Sequence, residues 1–290
     1  MAKKYVILLS IYNGVIWVAL ETRKVIIIMK KIMKSIAALA MTAAICTACS
    51  SSVKPNEVFS VADLDGKTIG VQLGTTGDIY SSDIEGATID RYKTGAEAVM
   101  ALKQGKVDAV IIDNEPAKVF VEKNEDLKIL DEEFAIEEYA IAIKKGNTEL
   151  TEAINGALAE LKADGTLELI QKNWIGDEAG QYPYVTPEGT EYPNGELVMA
   201  TNAAFPPYES LDENNNVIGF DADMMRAVCD KLGYELKIEN IDFDSIIAAV
   251  DSGKADVGAA GMTVTEDRLK NIDFSDSYTT ATQVIIVRAE

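Results

Sequence analysis

Beyond residue 62 the chain alternates short apolar runs with amphipathic stretches, and it does so in two successive series. Runs at 68–71, 88–92, 107–112 and 139–143 read as strands, separated by helices at 96–104 and 116–123. The second series places strands at 197–200, 235–238, 255–259 and 283–287, and helices at 221–232 and 244–252. This alternation predicts an α/β fold. The series share a phrase: residues 101–108 read ALKQGKVD and residues 249–256 read AVDSGKAD, in each case a helix closed by Gly and a turn into a strand. Five residues beyond the two Asp residues stand Asp113 and Gly261, near the carboxyl ends of equivalent strands, where open α/β sheets bind ligands. Two lobes facing each other are therefore expected, 62–143 and 144–290. Helices at 149–163 and 165–174 end the first series, and 175–196, with three of the seven prolines and no apolar period, reads as a linker.

Charge and leader sequence separate the chain differently. Residues 1–48 hold seven of the 27 basic residues and one of the 47 acidic ones, so the remainder carries −26 of charge. Such acidity argues against a nucleic-acid partner. From Met29 the chain reads MKKIMKSIAALAMTAAICTACS, a basic start, an apolar run and small residues ending at Cys49, which is the pattern of a secretion signal. Residues 1–48 are read as this signal region with Met29 as the true start, and 49–61 as a tether. The stretch ICTAC resembles a bacterial lipoprotein cleavage box, so Cys49 is expected to be lipidated and to anchor the chain outside the cytoplasm. An uncleaved membrane anchor is the plainer alternative. With no His and a single Cys after Cys49, His-based triads, internal disulfides and most zinc or haem sites are excluded; no metal or cofactor is expected.

Polar groups collect at the ends of the strands. Gly74-Thr75-Thr76-Gly77 follows a strand and opens a helix, so its N–H groups and hydroxyls suit a carboxylate or a phosphate. Thr265 is a credible N-cap, which sets Arg268 at the positive end of a helix, a poor place for a cation unless it meets an anion. Arg268 could grip a carboxylate with Gly261 N–H and Thr263 beside it, or merely pair with Asp267 or Glu266 on the surface. Asp113 closes an apolar strand, so its charge is buried unless a ligand ammonium meets it. Phe205 and Phe243 flank loops at strand ends and are equally plausible as core. Asn202 reads either as a ligand contact or as a turn cap.

These residues fall within six blocks: DLDGKTIGVQLGTTGD at 63–78, LAELKADGTLELIQKNWIG at 158–176, TNAAFPPYE at 201–209, IGFDADMM at 218–225, AAGMTVTEDR at 259–268 and IDFSDSY at 272–278. Together they strongly resemble the solute-binding proteins of polar amino-acid ABC transporters, the bacterial extracellular solute-binding protein family 3. The resemblance implies a two-lobed periplasmic-binding-protein-like fold of type II. It implies capture of a free L-amino acid by a monomer and its delivery to a membrane permease driven by a separate ATPase. It further implies Arg268, Thr263, Gly261 and Thr76 on the α-carboxylate, Asp113 on the α-ammonium, Phe205 and Phe243 about the side chain, and Asn202 at its far end. A neutral polar amino acid is preferred, since Asn202 is uncharged, although Glu209 and Asp78 would favour a cation. The rival functions are a cyclohexadienyl dehydratase, with a cleft acid such as Glu209, and a ligand-sensing module. The family places the TNAAFPPYE lobe first, whereas here the GTTG lobe leads. The chain therefore looks like a circular permutant cut inside an interlobe connection, with residues 141–146 as the one remaining covalent crossing.

Overall fold

The computed structural model describes residues 54–289. The signal region 1–48, the start at Met29 and lipidation at Cys49 lie outside the described residues. Among the described residues no helix is long and apolar enough to cross a membrane.

The strands run in chain order β1 (Thr68–Gln72), β2 (Thr88–Tyr92), β3 (Ala109–Asp113), β4 (Leu127–Ile129), β5 (Ala135–Tyr139), β6 (Ala142–Lys144), β7 (Glu196–Thr201), β8 (Ser210–Leu211), β9 (Val217–Ile218), β10 (Glu235–Asn240), β11 (Val257–Gly258), β12 (Ile272–Phe274) and β13 (Thr279–Arg288). The helices are α1 (Thr76–Ser81), α2 (Gly95–Lys103), α3 (Asn114–Glu122), α4 (Thr148–Ala163), α5 (Thr166–Trp174), α6 (Phe220–Leu232) and α7 (Ile246–Ser252). One sheet has the order β2-β1-β3-β13-β4, with β5 also on β13, and a second has β10-β7-β11-β6-β12. Each is the core of one lobe.

Sequence chemistry explains the layering. β3 is apolar until its last residue and buried along its whole length, as a central parallel strand covered on both faces must be. Thr94 and Glu97 form a reciprocal capping box that starts α2, and Gly105 and Gly253 take left-handed angles of φ 69° and 76° just after α2 and α7, which explains the shared Gly-Lys phrase. Helices α4 and α5 pack with α6 on the second lobe.

Two segments cross between the lobes, not one. The first leaves β5 at Tyr139 and enters β6 at Ala142; the second leaves β12 at Phe274 and enters β13 at Thr279. They run antiparallel and are tied by Ser275 N–H to Ile141 O (2.9 Å) and Tyr278 N–H to Tyr139 O (2.9 Å). The reading of 141–146 as the single covalent crossing is corrected accordingly. The C-terminal strand pairs with β3 because its run Val284–Val287 is buried on both faces and needs a fully covered sheet.

Residues 54–61, the described part of the expected tether, are docked on the first lobe. Val58 is wholly buried against Leu64 and Ile69, and Asn56 Nδ2 donates to Val58 O at 2.8 Å. Arg288, buried near the other end, donates from Nε to Lys54 O at 3.1 Å and from Nη1 to Leu102 O and Val107 O. Both ends of the described chain therefore meet on the first lobe, beyond the crossing rather than inside it.

Candidate functional site

The strand ends of the two sheets face a common cleft lined by Gln72, Thr75, Thr76 and Asp113 from the first lobe and by Phe205, Phe243, Ala260, Gly261, Thr263 and Arg268 from the second. Seven of the eight residues expected from the sequence are in that lining; Asn202 is not. The space between them is about 10 Å³, near the threshold for a single water, so a guest larger than water enters only when the walls part.

Arg268 opens a short 3₁₀ turn, Arg268–Lys270, instead of the expected longer helix, and Thr265 Oγ1 still accepts from Arg268 N–H at 3.3 Å. Its guanidinium is buried, lies 5.6 Å from the Phe243 ring centroid and donates to Thr263 O (2.7 Å) and to Gly74 O (3.0 Å), one carbonyl from each lobe. Burial pulls its pKa below the usual arginine value, opposed by the negative charges of Glu137 and Asp113. Among the described residues it forms no ion pair: Asp267, its expected surface partner, is taken by Lys270 at 2.7 Å. A desolvated cation held only by neutral carbonyls is poised for an anion.

Asp113, at the end of β3 and 5% exposed, stands on the other wall. Burial, and then the charge of Glu137, push its pKa up to about 7, although the Tyr139 hydroxyl donates to its Oδ1. It does not pair with Arg268, so opposite charges from the two lobes border one gap.

The remaining groups are arranged by local geometry. Gly261 sits at φ 54°, and a Cβ there would lie 3.0 Å from both Phe205 and Tyr139. Its N–H, expected on a ligand, instead donates to Asp221 Oδ2 at 2.8 Å, so only its lack of a side chain serves the cleft. The Thr263 hydroxyl donates to Glu137 Oε2 at 2.9 Å and keeps its lone pairs as acceptors. Thr76 Oγ1 accepts from Gln283 Nε2 at 3.3 Å, and Thr75 Oγ1 caps α1 by accepting from Asp78 N–H. Behind the cleft, Tyr139 packs edge-on against Tyr208 with centroids 5.1 Å apart, and Phe205 stacks on the same ring.

Three expectations are displaced. Asn202 uses both ends of its amide elsewhere, accepting from Gln72 Nε2 at 2.9 Å and donating to Ile241 O at 2.8 Å. Glu209 is fully buried and does not line the cleft; burial and the neighbouring Asp221 hold its pKa well above the usual carboxylate range. Asp78 is paired with Arg91 at 2.8 Å and accepts from Gly74 N–H at 3.0 Å. Sequence reasoning missed Gln72, Glu137 and Gln283. Gln72 had a signal, since it ends β1 as Asp113 ends β3, a polar group closing an apolar strand.

The family model of the bacterial extracellular solute-binding proteins, family 3, matches residues 88–177 and 197–290. The chain belongs to that family. The two-lobed α/β architecture is the type II binding-protein fold that membership implies. Within the family, the chain is 38% identical over 102 residues to the arginine-binding extracellular protein ArtP of Bacillus subtilis, covering 35% of this chain and 40% of that one. It is 34% identical over 127 residues to the L-cystine-binding protein TcyJ of Escherichia coli K12, covering 42% of this chain and 48% of the relative. These matches span less than half of each relative's length. A solved ancestral arginine-binding protein bound to arginine is 50% identical over 28% of this chain and 36% of that one, with a TM-score of 0.28. The relatives named are binding proteins of an extracellular family.

Proposed function

We propose that this chain binds a free polar L-amino acid between its lobes outside the cytoplasm and hands it to the permease of an ABC transporter. The observation that carries this is the pairing across the cleft: Arg268 from one lobe and Asp113 from the other, both buried and not paired to each other, border a space flanked by two Phe rings. Arg268 takes the α-carboxylate with Thr263 and Thr76, Asp113 takes the α-ammonium, and Phe205 and Phe243 cover the side chain. A guest held by both walls stabilises the closed arrangement over the open one, because only the closed form offers it both charges. The names of the relatives, an arginine-binding and an L-cystine-binding protein, agree with a polar amino acid.

The chain acts as a monomer without enzymatic activity, anchored through lipidated Cys49. Its lobes are 62–139 with 279–289, and 142–274, in place of the expected 62–143 and 144–290, since β13 pairs with β3 and β6 pairs with β11. The lobe order is that of a circular permutant, and Lys54 and Arg288 meet on the first lobe; two covalent crossings keep the hinge intact. Glu209, the acid named for the dehydratase reading, stands outside the cleft lining.

A thermal-shift screen of the twenty amino acids tests the proposal. At least one is expected to raise the melting temperature by mass action, and Arg268→Ala to abolish the rise. A rise that survives the substitution, or no rise with any amino acid, refutes it.

A further inference from the structure

We infer that Lys93 is a clasp on the closed form: reaching across the mouth of the cleft, it grips the turn that carries Phe243 and so slows release of the guest. This rests on the amino-acid reading of the cleft and adds to it a positioning residue that does not itself line the site. Lys93 Nζ, on the first lobe, lies 2.9 Å from Asp242 Oδ2 and 3.3 Å from Asp244 Oδ1, both on the second. Among the described residues these are the only ion pairs that join the lobes. The two acids flank Phe243 at the start of a 3₁₀ turn, Phe243–Ser245, and the Phe243 ring lies against Arg268. At the same rim the two backbones come close: Gly74 takes φ 80°, and a Cβ there would lie 3.3 Å from Asp244 Cβ.

Topology sets this contact at the sheet edges opposite the hinge. The crossings leave β5 and β12 and enter β6 and β13. Lys93 directly follows β2, the edge strand of the order β2-β1-β3-β13, and Asp242 comes two residues after β10, the edge strand of β10-β7-β11-β6. Each partner is therefore three strands from the hinge side, about 14 Å sideways at the usual strand spacing. Opening about the crossings parts this rim furthest, so the ion pairs belong to the closed form. Both halves of the clasp have fixed bases: Lys93 N–H donates to Glu97 Oε2 at 3.0 Å beside the start of α2, and Ser245 N–H donates to Asp242 O at 2.9 Å. All three side chains are partly exposed, so either pair alone is weak and salt reaches it, but ordering one lysine here serves two attractions. A contact made in the closed form, and not to the guest, stabilises every liganded complex alike. It acts on the rate of release and leaves the rate of entry almost unchanged.

Titration calorimetry and stopped-flow release test this on the mature chain, with each of the twenty amino acids on the wild type and then with the tightest binder on the variants, each checked for folding by circular dichroism. At low salt Lys93→Ala should bind about three- to ten-fold more weakly, with the loss in a faster release. Lys93→Arg keeps the charge and should stay within about two-fold of wild type. Once Asp242→Asn and Asp244→Asn have removed both acids, adding Lys93→Ala should cost nothing further. At about 0.5 M salt the gap between wild type and Lys93→Ala should close to within about two-fold, a change that lost packing alone would not produce. Release from Lys93→Ala at the wild-type rate in low salt overturns the inference while the amino-acid reading stands. So does a loss that is undiminished at high salt or in the absence of the two acids. A wild type that binds none of the twenty overturns the functional reading, and this inference with it.

Discussion

Replacing Asp113 with Asn should move stability and binding in opposite directions. The Asp113 carboxyl group is buried, and its pKa is raised from 3.8 to about 7, first by burial and second by the charge of Glu137. Between those two values the folded chain holds a proton that the unfolded chain has released, so stability falls as the pH rises from about 4 to about 7. About three pKa units at roughly 1.4 kcal/mol each set a ceiling near 4 kcal/mol for the cost of ionising the buried group. The amide carries no such cost, but it weakens the hydrogen bond from the Tyr139 hydroxyl, which returns about 1–2 kcal/mol. The unliganded Asp113→Asn protein should therefore gain about 2 kcal/mol at pH 8, or roughly 4–8 °C in melting temperature for a body of this size, and little or nothing at pH 4.5. Binding should suffer instead. Removing one partner of a buried charge pair costs about 2–5 kcal/mol, so amino-acid affinity should fall at least about 30-fold. Melting curves at pH 4.5 and 8, with and without the amino acid that the screen identifies, measure both effects. A variant that melts lower than wild type at pH 8, or one that keeps the full ligand-induced shift, refutes the reasoning.

The glycines and the buried acid pair offer further tests. At Gly219, φ is 140° and a Cβ would lie 2.1 Å from Tyr208 O, so Gly219→Ala should cost more than about 4 kcal/mol and yield little folded protein by circular dichroism. Gly261→Ala is milder, with contacts of 3.0 Å to Phe205 and Tyr139, and should lower stability by about 1–3 kcal/mol in urea titrations while weakening amino-acid binding measurably. Burial and the neighbouring Asp221 hold the Glu209 pKa well above the ordinary value, which favours the uncharged carboxyl that an amide imitates, so Glu209→Gln should melt within about 4 °C of wild type from pH 6 to pH 8. A drop of more than about 10 °C would mean that the ionised form is the one the fold uses.

Much of the fold was legible because the evidence for it is local. Apolar runs bounded by Gly placed β1, β3, β7 and β10 within two residues, and the matching Gly-Lys turns foretold two lobes built alike. Arg268 and Asp113 were also legible, since a cation beside a helix start and an acid closing an apolar strand are locally unfavourable and therefore ask for a partner. Glu209 and Asp78 were misjudged for the same reason in reverse: nothing nearby in sequence shows that Asp221 lies against the first or that Arg91 pairs with the second.

The sequence by itself determined the helices, seven of the thirteen described strands, the cation and acid of the cleft, and the membership of the family, because residue type and spacing set each of these within a few neighbours; the run 139–143, read as a strand, is instead the crossing between β5 and β6. Only the tertiary structure decided where the last strand pairs, that two segments rather than one join the lobes, and which amide faces the cleft. Those outcomes depend on contacts between residues far apart in the chain. Gln72 and Asn202 are 130 positions apart, and Ile241 O orients both through one hydrogen-bond relay.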